Sequence, residues 1–277
     1  MGEFALLIFS SCIEIAVGLL CALAVASFVY DKADFKITSR VAAATAILGV
    51  VASLGHLGSP ALAFNAIARV GVSSLSTEIV LAGGFMAIAI LHAVLTFFPR
   101  AAGANKVVAV VGSMVGITTL LSIGHAYASV HVPLWDGMGT YVEPCMTAVS
   151  CGAILFVALN YRQVRGYLVD TFAVASLVAV IVQVAIAILD YVELGLGDRA
   201  AQASAAMVSG MGPLVLIGWV FVLGGASWFM WNAARHSSDG KGSLKSAWMA
   251  AGMLVIGQFI VRYLFYAAMA SMSVGLI

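Results

Sequence analysis

His56 and Glu78 are the two side chains of this sequence best suited to proton chemistry. They flank a polar stretch, residues 57–77, that joins two long apolar segments. If the stretch is a loop, the two groups lie at the same depth, one at the end of a helix and one at the start of the next. Imidazole titrates near neutral pH and a carboxylate can share its protons. Such a pair could receive protons when a bound molecule is oxidised, and a ligand with two oxygen atoms could bridge them.

Both residues also have a purely structural interpretation. His56 could be an interfacial histidine that reaches towards water. Ser74, Ser76 and Thr77 offer N-caps for the following helix, which would place Glu78 in its first turn. A carboxylate is favourable there because it complements the helix dipole. The spacing alone leaves the functional and the structural interpretation open.

The elements that must position these residues are membrane-spanning helices. Of the 277 residues, 63% are hydrophobic and only 9% are charged, whereas about a quarter of an ordinary soluble chain is charged. The apolar runs are continuous rather than alternating, which excludes a β-barrel pattern, and each is long enough to cross a bilayer as a helix. We therefore predict an all-α integral membrane protein, a single transmembrane domain over residues 1–277. Its eight predicted spans are 5–30, 39–56, 75–98, 106–130, 140–161, 167–190, 211–232 and 246–272.

Basic residues predict the orientation of the bundle. Most of the 13 Lys and Arg residues fall in the loops after the first, third, fifth and seventh spans. Lys and Arg in short loops stay cytoplasmic, so both termini are predicted on the outer (periplasmic) side of a prokaryotic cytoplasmic (inner) membrane. The net charge of +1 predicts no nucleic-acid partner.

The cysteines do not predict a metal site. All four lie inside apolar runs and none forms a C-x-x-C pair, so we expect small packing residues rather than zinc or iron–sulfur ligands. They are Cys12, Cys21, Cys145 and Cys151.

The polar stretch and its flanks resemble a known family. The run HLGSPALAFNAIARVGVSSLSTEI, residues 56–79, is similar to the hallmark segment of the membrane-anchor subunit of dimethyl sulfoxide reductases. A second similarity lies in GQFIVRYLFYA, residues 257–267, where Arg262, Phe265 and Tyr266 match and Gln258 stands in place of an acidic residue. A weaker one is Pro133-x-Trp135.

The resemblance implies a function and a set of partners. Such anchors bind and oxidise menaquinol near the outer face, and carry no haem or metal themselves. They pass the electrons to an iron–sulfur subunit, and from there to a catalytic subunit with a molybdenum (molybdopterin) cofactor, both docked on the outer face. The chain would then be a subunit of an oxidoreductase and not a stand-alone enzyme. The expected docking surface is made of the loops 57–74, 131–139 and 193–210.

The resemblance also implies the site residues. His56 and Glu78 align with the quinol-site histidine and carboxylate of the family, and Ser59, Asn65 and Arg69 would line the same region by proximity.

Two further charges lie inside predicted spans, where charged groups are costly and usually paired or functional. Glu14 is about ten residues into the first span, so roughly 15 Å from its outer end at about 1.5 Å per residue. Arg262 lies at a similar depth in the eighth span. We expect the two to lie near each other and to support the site.

Two other functions remain open on the residues alone. A haem b-containing quinol-oxidising anchor would need two facing histidines, and His56 and His125 both fall near the outer ends of spans. A secondary transporter would need broken helices and charges near the membrane midplane; Glu14 and Arg262 fit that weakly, and we find no internal repeat.

Overall fold

The computed structural model describes residues 2–30, 35–55, 68–130, 132–164, 166–239 and 242–267, and within these ranges the regular secondary structure is helical. Nine α-helices fall in this described part of the chain. They are α1 (Gly2–Val29), α2 (Lys36–Leu54), α3 (Ser74–Leu95), α4 (Ala102–Ala128), α5 (Gly139–Leu159), α6 (Tyr167–Leu196), α7 (Arg199–Gly210), α8 (Gly212–Asp239) and α9 (Leu244–Ala267).

Eight of the helices are long and apolar enough to cross a membrane, which confirms the predicted all-α membrane fold. They are all the helices except α7. The predicted ends differ most at the sixth and seventh spans: α6 continues to Leu196 instead of stopping at Asp190, and α8 continues to Asp239 instead of Asn232. One acidic residue did not end α6, because residues 191–196 contain no proline and include the good helix formers Glu193, Leu194 and Leu196.

The connection between the sixth and seventh spans was wrongly predicted as a loop over residues 193–210. It contains the end of α6 and the separate helix α7. The Asp198 side chain caps α7 by accepting a hydrogen bond from Ala201 N at 2.9 Å, and the helix itself is rich in alanine. Its shortness and polar content hid it from a search for membrane spans.

Helices α1 and α5 form the centre of the bundle. They are the two spans most buried inside the protein, and α1 packs against α2, α4, α5 and α9. They cross at Gly18 and Gly152, where a Cβ atom built on Gly18 would lie 1.9 Å from the carbonyl oxygen of Ala148. Only glycine permits this approach, which is the packing that small residues commonly provide between membrane helices.

The bundle has two ends, which we name by one residue each. The Glu78 end contains the starts of α1, α3 and α5 and the end of α9; the Arg40 end contains the start of α2 and the end of α3. At the Arg40 end, Ser39 Oγ and His92 Nδ1 are hydrogen-bonded at 2.6 Å and join α2 to α3. The connections that carry most of the Lys and Arg residues join helices at the Arg40 end. Their positive charge predicts that this end is cytoplasmic.

Candidate functional site

Glu78 is buried at the start of α3 without the capping role that its sequence position suggested. It is the fifth residue of the helix, after a first turn that contains no acidic residue, and it is 7% exposed. Ser73 is the N-cap, and its Oγ accepts from Ser76 N at 3.4 Å. The predicted caps and the predicted first-turn position of Glu78 were therefore wrong. Within the described part of the chain the Glu78 carboxylate makes no hydrogen bond or ion pair.

Arg262 and Glu14 form a buried ion pair, which confirms the prediction that they lie near each other. Arg262 Nη2 lies 3.2 Å from Glu14 Oε1, and the side chains are 6% and 2% exposed. The two atoms are close but not aligned as a hydrogen bond. The pair ties the first membrane span to the last, at a depth where an unpaired charge would be costly.

A series of hydrogen-bonded hydroxyl groups extends from Arg262 of the ion pair. Arg262 Nε donates to Ser10 Oγ at 3.1 Å, and the Tyr266 hydroxyl lies 3.1 Å from both Ser10 Oγ and the Tyr127 hydroxyl. A phenol has one proton to donate, so Tyr266 can donate to Ser10 while Tyr127 donates to Tyr266. The Ser10 hydroxyl can in turn donate to the Leu7 carbonyl oxygen at 3.3 Å. We call Ser10, Glu14, Tyr127, Arg262 and Tyr266 the ionic network.

The two weaker family motifs contact each other beside this network. Trp135 Nε1 donates to the Phe265 carbonyl oxygen at 2.9 Å, and the two rings stack with centroids 5.5 Å apart. Tyr127 packs edge-on against both Trp135 and Phe265. The Arg262 guanidinium lies over the Phe265 ring, 4.8 Å from its centroid. The loop after α4 is thus fastened to the end of α9 at the Glu78 end.

Arg262 is the cation shared by several carboxyl groups. Its charge acts on Glu14, on Glu78 and on Glu143, a residue of α5 that sequence reasoning did not single out. Tyr127 lies within the electrostatic reach of Glu78. Three carboxyl groups therefore share one nearby cation, and only Glu14 contacts it directly.

Gln258 has a structural role at the position where the family pattern expects an acid. Its Nε2 donates to Gln183 Oε1 at 2.8 Å, and Gln183 Nε2 donates to Thr147 Oγ1 at 2.9 Å. All three side chains are buried, and they join α5, α6 and α9. Two amides facing each other satisfy their own donors and acceptors without a charge.

Of the remaining predicted site residues, the structure describes only Arg69, which does not contact the ionic network. His56, Ser59 and Asn65 lie outside the described ranges. Arg69 is described and has an exposed side chain in the turn before α3. Ser10, Tyr127 and Glu143 were missed; only Glu143, as an acid inside an apolar run, had a signal in the sequence.

A haem-containing anchor would need two facing histidines, and a secondary transporter would need broken helices. His125 Nδ1 faces the Tyr141 hydroxyl at 3.4 Å, and its possible haem partner His56 lies outside the described ranges. Among the described residues no group of three or more His, Cys, Asp or Glu side chains is arranged to hold a metal ion. Each of the eight spans is a continuous helix, unlike the broken helices typical of transporters.

The fold and the ionic network define a multi-pass membrane protein with a buried ion pair at one end of its bundle. Comparison with known proteins gives the family: residues 1–268 match the family model described as DMSO reductase anchor subunit (DmsC). The protein belongs to this family, and it is a multi-pass protein of the bacterial inner membrane and part of an oxidoreductase complex.

Individual relatives agree with the family assignment. The protein is 27% identical to the C subunit of the anaerobic dimethyl sulfoxide reductase of Escherichia coli (strain K12) over 232 residues, which cover 83% of this sequence and 79% of the relative. It is 27% identical to the anaerobic dimethyl sulfoxide reductase subunit YnfH of the same organism over 234 residues, with the same coverage. The C subunit of the corresponding reductase of Haemophilus influenzae (strain ATCC 51907 / DSM 11121 / KW20 / Rd) is 32% identical over 115 residues, 40% of each protein.

Proposed function

We propose that this chain binds menaquinol at the Glu78 end of its bundle, oxidises it, and passes the electrons to an iron–sulfur subunit docked at that end. A catalytic subunit with a molybdenum cofactor would receive them next. Each quinol that is oxidised gives up two electrons and two protons. The electrons leave through the partner, and the protons go to groups of this chain.

The observation that carries the proposal is the burial of Glu78. A carboxylate that is neither a helix cap nor paired within the described part of the chain costs free energy in a membrane, so a role in the function explains why it is there. It lies within reach of the charge of Arg262. An acceptor beside a fixed positive charge suits a quinol hydroxyl, because it can accept a hydrogen bond first and the proton afterwards.

The proposal assigns the other residues as follows. His56 is the second proton acceptor, at the other end of the bound quinol, and Ser59 and Asn65 line the same region. Arg69, whose side chain is exposed, belongs to the surface around the site rather than to its interior. The ionic network holds Arg262 in place, since Ser10 and Glu14 contact its guanidinium directly.

The docking surface for the iron–sulfur subunit follows from the same geometry. We propose that it comprises the turn at residues 68–73, the Pro133–Trp135 segment and α7. All three lie at the Glu78 end, so a cluster seated on them would be close to a quinol bound there.

The test is reduction of the iron–sulfur subunit by quinol in membranes that contain the partner subunits with or without this protein. With a short-chain naphthoquinol as donor, the iron–sulfur clusters should be reduced only when the protein is present. A visible spectrum of the purified protein tests the haem alternative: a Soret band that sharpens on reduction would favour it. Solute flux into liposomes that contain this protein alone would favour the transporter alternative.

A further inference from the structure

A large cleft opens between α5, α6, α7, α8 and α9. Its volume is about 500 Å³, within the range of roughly 300–1,000 Å³ that is usual for small-molecule sites. Its walls are mainly apolar. They include Val184 and Ile188 of α6, Leu223 of α8, and Val261 and Leu264 of α9.

The polar side chains that line the cleft at the Glu78 end are those of Thr140, Glu143, Asp190, Tyr191 and Ser209. Ser209 Oγ donates to the Ala206 carbonyl oxygen at 3.2 Å. Asp190 Oδ2 accepts a hydrogen bond from Gly139 N at 3.1 Å. Thr140 Oγ1 donates to the Trp135 carbonyl oxygen at 2.8 Å. Glu143 differs from Asp190 and Thr140, because its carboxylate makes no hydrogen bond or ion pair within the described part of the chain.

The cleft and the ionic network are neighbours, because both contact the Phe265 ring. Phe265 lines the cleft, and its ring also packs edge-on against Tyr127, with centroids 5.6 Å apart. The charge of Arg262 acts on Glu143. A molecule in the cleft would therefore lie close to the network without belonging to the Glu78 site.

The chemistry of the walls restricts the ligand. Two carboxyl groups repel an anionic head such as a phosphate, and a free acceptor on Glu143 needs a donor. The apolar walls favour a ligand whose main part is a ring or a hydrocarbon chain. We propose that the cleft is a second binding site, for a neutral apolar molecule with a hydroxyl head, and that its occupant is a quinol whose hydroxyl donates to Glu143.

The site can be mapped by photolabelling in membranes that contain the full-length protein. Two probes with the same photoreactive diazirine are compared, a short-chain naphthoquinol and a phosphatidylcholine, and labelled peptides are identified by mass spectrometry. The naphthoquinol should label residues 139–143, 184–194 and 261–265. Glu143→Leu should lower this labelling about tenfold, as expected for a lost hydrogen bond to a carboxylate, and Ala187→Trp should lower it by filling the cleft.

The matched control is Glu193→Leu, which removes an exposed carboxylate at the same end of α6 and should leave the labelling unchanged. The proposal is overturned if the naphthoquinol leaves the three segments of the wild-type protein unlabelled, if phosphatidylcholine labels them equally well, or if Glu143→Leu is labelled like the wild type. The labelling pattern of the wild-type protein tests the proposal even if Ala187→Trp fails to assemble. Because the assay measures occupancy, its result is separate from whether quinol is oxidised at Glu78.

Discussion

Arg262 Nη2 lies 3.2 Å from Glu14 Oε1 and joins the last membrane span to the first. Both side chains are buried, so neither charge can be compensated by water. The Arg262 side chain also donates to Ser10 and lies over the Phe265 ring. The ion pair therefore helps to fix α9 against α1 beside the proposed quinol site.

Removing one member of this ion pair should destabilise the protein more than removing both. Glu14→Gln or Arg262→Gln leaves one buried charge of the pair without its partner, at a cost of about 3–5 kcal/mol, whereas the double variant removes both charges of the pair. Thermal unfolding of the four proteins in detergent measures this coupling. Strictly additive losses would contradict the pairing.

The crossing of α1 and α5 predicts a sharp difference between two glycines. Gly152→Ala places a Cβ atom 2.2 Å from the carbonyl carbon of Gly18, and overpacking of this kind costs about 1–3 kcal/mol. Gly84→Ala is the control, because a Cβ atom there meets nothing within 4 Å. Thermal stability in detergent should fall for the first variant and stay near the wild-type value for the second. Equal stability of the two variants would mean that the helices do not approach as described.

The hydrogen bond from Trp135 to the end of α9 can be removed while an aromatic ring is kept at the position. Trp135→Phe loses the donor to the Phe265 carbonyl oxygen, and a bond of this kind contributes about 0.5–1.5 kcal/mol. Hydrogen exchange should then be faster in the last turn of α9. Trp231→Phe changes a side chain that is 53% exposed and should leave that exchange unaffected. Identical exchange in the two variants would show that the contact does not hold α9.

The two ends of α4 test the predicted orientation. Ser129 and Ala104 are exposed and lie at the Glu78 end and the Arg40 end, respectively. A membrane-impermeant thiol reagent added to spheroplasts should label Ser129→Cys, and should label Ala104→Cys only after permeabilisation. The four native cysteines lie within the spans, so the wild-type protein supplies the background. The reverse pattern would place the Glu78 end in the cytoplasm.

Much of the fold follows from the sequence because lipid imposes a strong and simple constraint on the backbone. Every span was predicted from continuous apolar length, and the Glu14–Arg262 pair from the cost of charge at matched depth. Helix α7 was missed because its stability depends on a cap and on alanine content rather than on an apolar run.

The site was harder to predict than the spans. The network at Ser10 and Tyr127 depends on how α1, α4 and α9 rotate against one another, and one sequence does not encode those rotations in any local pattern. Glu78 was assigned to the right helix but to the wrong turn, because several serines before it compete as caps and only the structure shows that Ser73 is the one used.

The role of Glu78 is tested most directly by quinol-dependent reduction of the iron–sulfur subunit in membranes that carry Glu78→Gln, with assembly checked by retention of the partner subunits. His56→Ala is measured beside it, and Glu193→Gln is the control for loss of a carboxylate at the same end. We predict that reduction falls at least about tenfold in the first two variants, as expected when a proton acceptor is removed, while the complex stays assembled. Reduction at the wild-type rate in assembled Glu78→Gln would contradict the proposed site and move the search to Glu14, Arg262 or a haem.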